Sequence, residues 1–214
     1  MNRSDAETLW EVARVLARDA AKVSRASPPP VALPPLLFFT DPVRTPRPWE
    51  TAARLPAGAA VVFRAFGRPD ARETALRLRE VTAMRDVRLL IGLDGDLAQA
   101  IGADGVHLPE RALDQAPRLS EAHPDWLITG AAHAGSALDA PGPHARVLSP
   151  VFPAGGASSA TPPLGLAGFS ALAASASCPV YALGGIDAKN ARSLIGSGAC
   201  GIAGVSAVQA AFDA

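Results

Sequence analysis

The chain has 214 residues, 49% of them hydrophobic, and its 20 basic residues balance 20 acidic ones, leaving no net charge. That balance gives nucleic acid or an anionic membrane surface no electrostatic hold, and points to a small molecule as the main partner. No stretch approaches the ~20 apolar residues that span a bilayer, and Asp5, Glu7, Glu11 and Asp19 make the start of the chain unlike a secretion signal or a transit peptide. A cytoplasmic location is expected, with Cys178 and Cys200 as free thiols.

Leu9, Val12, Leu16 and Val23 recur at helical spacing behind Ser4, a good N-cap, so residues 5 to about 25 are expected to form a helix. The proline run from Ser27 to Pro35 then reads as a stiff connector. It divides residues 1–30, helix and connector, from 31–214, the main domain. Apolar runs follow at 36–40, 60–64, 87–92, 104–108, 126–130, 145–151, 179–183 and 200–204, with helix-like segments at 70–83, 97–101 and 166–175 between some of them. Continuous apolar runs alternating with helices imply parallel strands buried on both faces, and eight of them imply a closed α/β barrel of the (β/α)8, or TIM, type. An open doubly wound sheet would carry G-x-G-x-x-G after its first strand, where this chain has Thr40-Asp41-Pro42.

Chemistry in such a barrel belongs at the C-terminal ends of the strands. There the last two runs stop at Gly184-Gly185 and Gly204-Val205-Ser206, with Asp187 placed to cap a following helix. Glycine turns let backbone N–H groups approach an anion, and a helix opened by Ser206 adds its positive dipole end. A phosphorylated small molecule is therefore the expected ligand. The long Pro/Gly/Ser-rich loop from Pro150 to Leu164, with Ser158, Ser159 and Thr161, is placed to close over it. His107 and His133 follow the fourth and fifth runs, and Arg64 ends the second. His107 serves equally well as a structural hydrogen-bonding group, His123 and His144 fall in polar loops, and the four histidines lack the paired spacing of a zinc site.

The segments LAQAIGADGVHLPE at 97–110, SPVFP and PPLGL around the long loop, and YALGGID through GVSAV strongly resemble the thiamine-phosphate synthase family and its sister group, the thiazole tautomerases. The resemblance runs over roughly residues 36–208 and implies a small barrel that binds a thiazole phosphate on the last two strands. It also implies Mg²⁺-assisted coupling of hydroxymethylpyrimidine diphosphate with that thiazole phosphate, and here the chain departs from the pattern. The family's glutamine-x-arginine-x-lysine falls on Val62, Arg64 and Phe66, its asparagine-aspartate on Gly92-Leu93, and its second metal-binding aspartate on Ala112. The serine of its glycine-x-serine-x-histidine segment is displaced by Ala131-Ala132, with His133 kept, and no lysine occurs between Lys22 and Lys189.

Leucine and alanine cannot replace a carboxylate as a Mg²⁺ ligand. No metal or other cofactor is therefore expected, unless the coupling reaction is rebuilt on shifted residues such as Asp94. A tautomerase-like proton transfer asks only for a phosphate anchor and an acid/base such as His133, with His107 as second candidate. The coupling enzyme and a non-catalytic phosphate binder stand as alternatives, and the composition permits a homo-oligomer.

Overall fold

A computed structural model describes residues 4–22, 31–133, 135–138, 141–155 and 160–213. Eight parallel strands close on themselves in chain order. They are β1 (Leu36–Phe39), β2 (Ala60–Phe63), β3 (Arg88–Gly92), β4 (Gly105–Leu108), β5 (Leu127–Ala132), β6 (Ala145–Leu148), β7 (Val180–Leu183) and β8 (Ala199–Gly204). Helices α2 (Pro48–Ala52), α3 (Ala71–Met84), α4 (Gly95–Ala100), α5 (Ala116–Ala122), α6 (Gly165–Ser175) and α7 (Ser206–Asp213) join or follow them, and α1 (Asp5–Ala21) precedes them. The expected (β/α)8 barrel with an added N-terminal helix is the observed architecture.

The strands are short, and every residue of β1 and β2 is buried, because alternate side chains serve two different cores. Leu37, Phe39, Ala60, Val62, Leu127, Val147 and Tyr181 fill the barrel interior. Leu36, Phe38, Val61 and Phe63 pack outward under the helices. The barrel is thus a filled core, and its chemistry is confined to the rim.

The end of the proline connector is part of this core. Val31 and Leu33 pack against the interior cluster, Tyr181 Oη donates to Pro34 O at 2.7 Å, and Ile202 N–H donates to Pro35 O at 3.0 Å. These contacts plug the end of the barrel at which the strands begin. Helix α1 carries the full capping box: Ser4 Oγ accepts the Glu7 N–H at 3.2 Å, and Glu7 Oε2 accepts the Ser4 N–H at 2.9 Å. Its buried stripe, Leu9, Val12, Ala13 and Leu16, lies on β8 beside α7.

The sheet has room there because the segment after β7 does not form the expected α-helix. It makes only a four-residue 3-10 turn, Ala191–Leu194. Asp187 Oδ1 accepts the N–H groups of Lys189 and Asn190 at 2.9 and 3.1 Å, which makes it the pivot of a tight turn instead of a helix cap. No helix among the described residues is long and apolar enough to cross a membrane.

Candidate functional site

On the β7–β8 side the site is made of backbone. Gly184 and Gly185 have φ of 103° and 65°, the left-handed region that favours glycine. The start of the long loop lies directly on them: Val151 N–H donates to Leu183 O at 2.9 Å, and Phe152 N–H to Gly184 O at 3.0 Å. A Cβ on Gly184 would stand 2.8 Å from Pro150, and one on Gly185 would strike the Pro153 carbonyl and Phe152. The glycines are therefore required by this loop contact, whether or not an anion is present. Asn190 Nδ2 donates to Gly185 O at 2.7 Å and fixes the turn from the other side.

Beyond β8, Gly204 and Val205 lead straight into α7. A side chain at 204 would meet Val208 Cγ2 at 2.6 Å. Gln209 N–H reaches back to Val205 O at 3.0 Å, so the earlier N–H groups of the helix, from Ser206 onward, have no acceptor within it. Thr161 is exposed, while Ser158 and Ser159 lie outside the described residues.

The β1–β4 side is built of side chains. Arg64, at the end of β2, is mostly buried. Its backbone N–H donates to Thr40 Oγ1 at 2.9 Å and its Nε to Thr40 O at 2.8 Å. The guanidinium lies 5.4 Å from the Phe39 ring and 5.2 Å from that of Phe66, and Nη2 is buried with no hydrogen-bond partner among the described residues. Burial lowers the Arg64 pKa to about 10, against the opposing pull of Asp41, so it stays charged at neutral pH. For Asp41 itself burial pushes upward, but hydrogen bonds from Arg44 and Val43 outweigh it and hold the carboxyl below its usual value.

His107 is buried beside them. Its Nδ1 lies 2.9 Å from Thr129 Oγ1, and its ring stands edge-on to Phe39 at 4.9 Å. Burial, reinforced by the Arg64 charge, drops its pKa to about 3, so the imidazole is neutral throughout the physiological range. That suits a fixed hydrogen-bonding group better than an acid/base working near neutrality.

His133 is different. It follows β5 and is half exposed, and Glu110, from the 3-10 helix Glu110–Gln115 after β4, holds it twice. Glu110 Oε2 accepts the His133 backbone N–H at 3.0 Å and lies 2.8 Å from Nδ1. No linear pattern announces this pair, because 23 residues separate its members. The order of strands does foretell it, since residues just past two neighbouring strands share one part of the rim. His123 and His144 lie away from this rim. His123 stacks on Trp126 at 3.7 Å, and His144, only partly exposed, accepts the Ile128 N–H at 3.1 Å through Nδ1.

The carboxylates that a Mg²⁺ site would need do not fit one. Asp94 Oδ1 accepts the Leu97 N–H at 2.8 Å and caps α4. Asp41 is occupied by its own loop and Arg44, and Glu110 by His133. Leu93 and buried Ala112 offer only hydrocarbon, and no group of three potential ligands converges among the described residues. Leu93 sits at φ 68° and Phe66 at φ 50°, both with exposed side chains, so the ends of β2 and β3 present apolar groups to the mouth.

A closed barrel of eight parallel strands, with glycine turns after the last two and a helix opening behind the second, places the chain in the class of TIM barrels. The sequence profile described as thiamine monophosphate synthase matches residues 44–208, and the chain belongs to that family. It is 35% identical over 142 residues to the thiamine-phosphate synthase of Methanoculleus marisnigri, covering 65% of this chain and 67% of that one. Its identity to the Chloroflexus aurantiacus enzyme of the same name is 36% over 143 residues, covering 66% of each. The matched stretch thus spans about two thirds of these relatives. Among solved structures, a thiamine phosphate pyrophosphorylase from Pyrococcus furiosus superposes with a TM-score of 0.67 at 26% identity, over 83% of this chain and 91% of that one.

Proposed function

We propose that this member of the family binds a thiazole phosphate, or a similar phosphorylated small molecule, in thiamine biosynthesis, and catalyses a metal-independent proton transfer on it. The phosphate is assigned to the backbone at Gly184, Gly185, Gly204, Val205 and Ser206, where N–H groups and the start of α7 offer an anion site that needs no lysine. Ser158, Ser159 and Thr161 are assigned to a loop that closes on the ligand. The single observation that carries the reading is the Glu110–His133 pair, an oriented imidazole at the rim in a protein where, among the described residues, no three potential metal ligands gather.

In this reading His133 takes a proton from one atom of the ligand and returns it at another, so the product is an isomer and no redox partner is needed. Arg64 carries fixed positive charge within the mouth. Neutral His107 braces the β4–β5 floor through Thr129.

The names of the relatives favour a second reading, Mg²⁺-dependent coupling of hydroxymethylpyrimidine diphosphate with the thiazole phosphate. A diphosphate leaving group develops concentrated charge, and losing one electrostatic donor typically costs ~3 to 4 kcal/mol in the barrier. The purified protein is to be assayed for thiamine phosphate formation with both substrates and excess Mg²⁺. Weak or absent coupling is expected, and robust coupling would overturn the proposal. Phosphate-ligand binding with neither reaction would identify a binder.

A further inference from the structure

We propose that Glu110 is a positioning residue that fixes the tautomer of His133. Its Oε2 contacts both the backbone N–H and Nδ1 of His133, at 3.0 and 2.8 Å. An ionised carboxylate only accepts, so in the neutral imidazole Nδ1 carries the ring proton and Nε2 on the opposite edge keeps its lone pair. Gripping main chain and ring together sets the orientation of the imidazole as well as its tautomer.

The fold explains why Glu110 is within reach. Gly130 of β5 has no side chain, and Leu113 Cδ2 crowds the place where its Cβ would stand. Leu113 is buried at that spot and lays the 3-10 helix against β5. The Ala112 N–H donates to Pro109 O at 2.9 Å and closes the first turn of the helix, at whose start Glu110 stands. Both partners of the pair are partly exposed, and a contact in that setting adds little to fold stability even when the imidazole is charged. The contact therefore acts on the state of the imidazole.

Only the catalytic consequence rests on the proton-transfer reading, because the tautomer can be observed without substrate. Two-bond ¹H–¹⁵N correlation spectra of the ligand-free protein at alkaline pH should show His133 as the Nδ1–H form. Glu110→Ala should move it to the Nε2–H form, whereas Glu110→Gln, whose amide oxygen still accepts, should preserve Nδ1–H. An Nε2–H ring in the unsubstituted protein, or an unchanged tautomer in Glu110→Ala, overturns the assignment. With thiazole phosphate in deuterated buffer, Glu110→Ala should lower kcat for exchange about tenfold at little change in KM. If the unsubstituted protein exchanges nothing, the proton-transfer reading fails, while the spectra still decide the role of Glu110.

Discussion

The two halves of the barrel mouth are made of different material. Around β7 and β8 the proposed ligand meets main chain, namely two glycine turns and the first turn of α7, whereas around β1 to β4 it meets side chains. A backbone site depends on conformation and survives wherever the turns survive. A side-chain site depends on identity, and at Phe66, Leu93 and Ala112 the identities that the family pattern calls for are absent. The contrast teaches that the family pattern is kept in this chain at its backbone turns and broken at side-chain positions.

The strongest way to break the comparison is to damage the backbone half. Valine at position 185 would need a left-handed backbone and would press on the Pro153 carbonyl and Phe152, so Gly185→Val should lower unfolding stability by about 3 kcal/mol or more. Urea titration measures this. Phosphate-ligand affinity should fall at least tenfold, ~1.4 kcal/mol, by calorimetry. Native-like values in both would show that the turn is not the structural element described here.

On the side-chain half, His107 provides a test by pH. With its folded pKa lowered from 6.5 to about 3, the unfolded chain binds a proton that the folded one refuses between those values. Its contribution to stability is thus complete above pH 6.5 and is lost as pH falls, at ~1.4 kcal/mol per pH unit. Relative to His107→Gln, the unsubstituted protein should lose ~2 kcal/mol between pH 7 and pH 5. A constant difference across that range would mean that His107 is not held neutral.

The smallest effect has the opposite sign. Leu93 occupies a conformation that asparagine tolerates better, so Leu93→Asn should raise stability by ~0.5 to 1 kcal/mol. It should not create Mg²⁺-dependent coupling, because Ala112 still offers no carboxylate. Coupling gained from that single change would place the metal site elsewhere.

Much of this was readable in the chain, for reasons that differ by element. The eight strands were legible because parallel strands buried on both faces leave uninterrupted apolar runs, and the runs at 36–40 and 60–64 overrun β1 and β2 by one residue each. The segment after β7 reads as an α-helix and forms a 3-10 turn, since Asp187 suits an Asx turn as well as a cap. The packing of the Pro150–Pro153 backbone on Gly184 and Gly185 is not legible in the residues, because contacts between distant stretches of main chain leave no mark in residue order. The neutrality of His107 follows from burial next to Arg64, and the Glu110–His133 pair from the docking of Leu113 on Gly130. Both depend on packing and not on spacing.

The most direct measurement is deuterium incorporation into thiazole phosphate by the purified protein in D₂O with EDTA, for the unsubstituted chain and for His133→Ala. Exchange that survives EDTA and falls about a hundredfold or more in His133→Ala is the predicted result, within the range ascribed to general acid–base catalysis. Exchange that vanishes with EDTA, or that is indifferent to His133, would contradict the account.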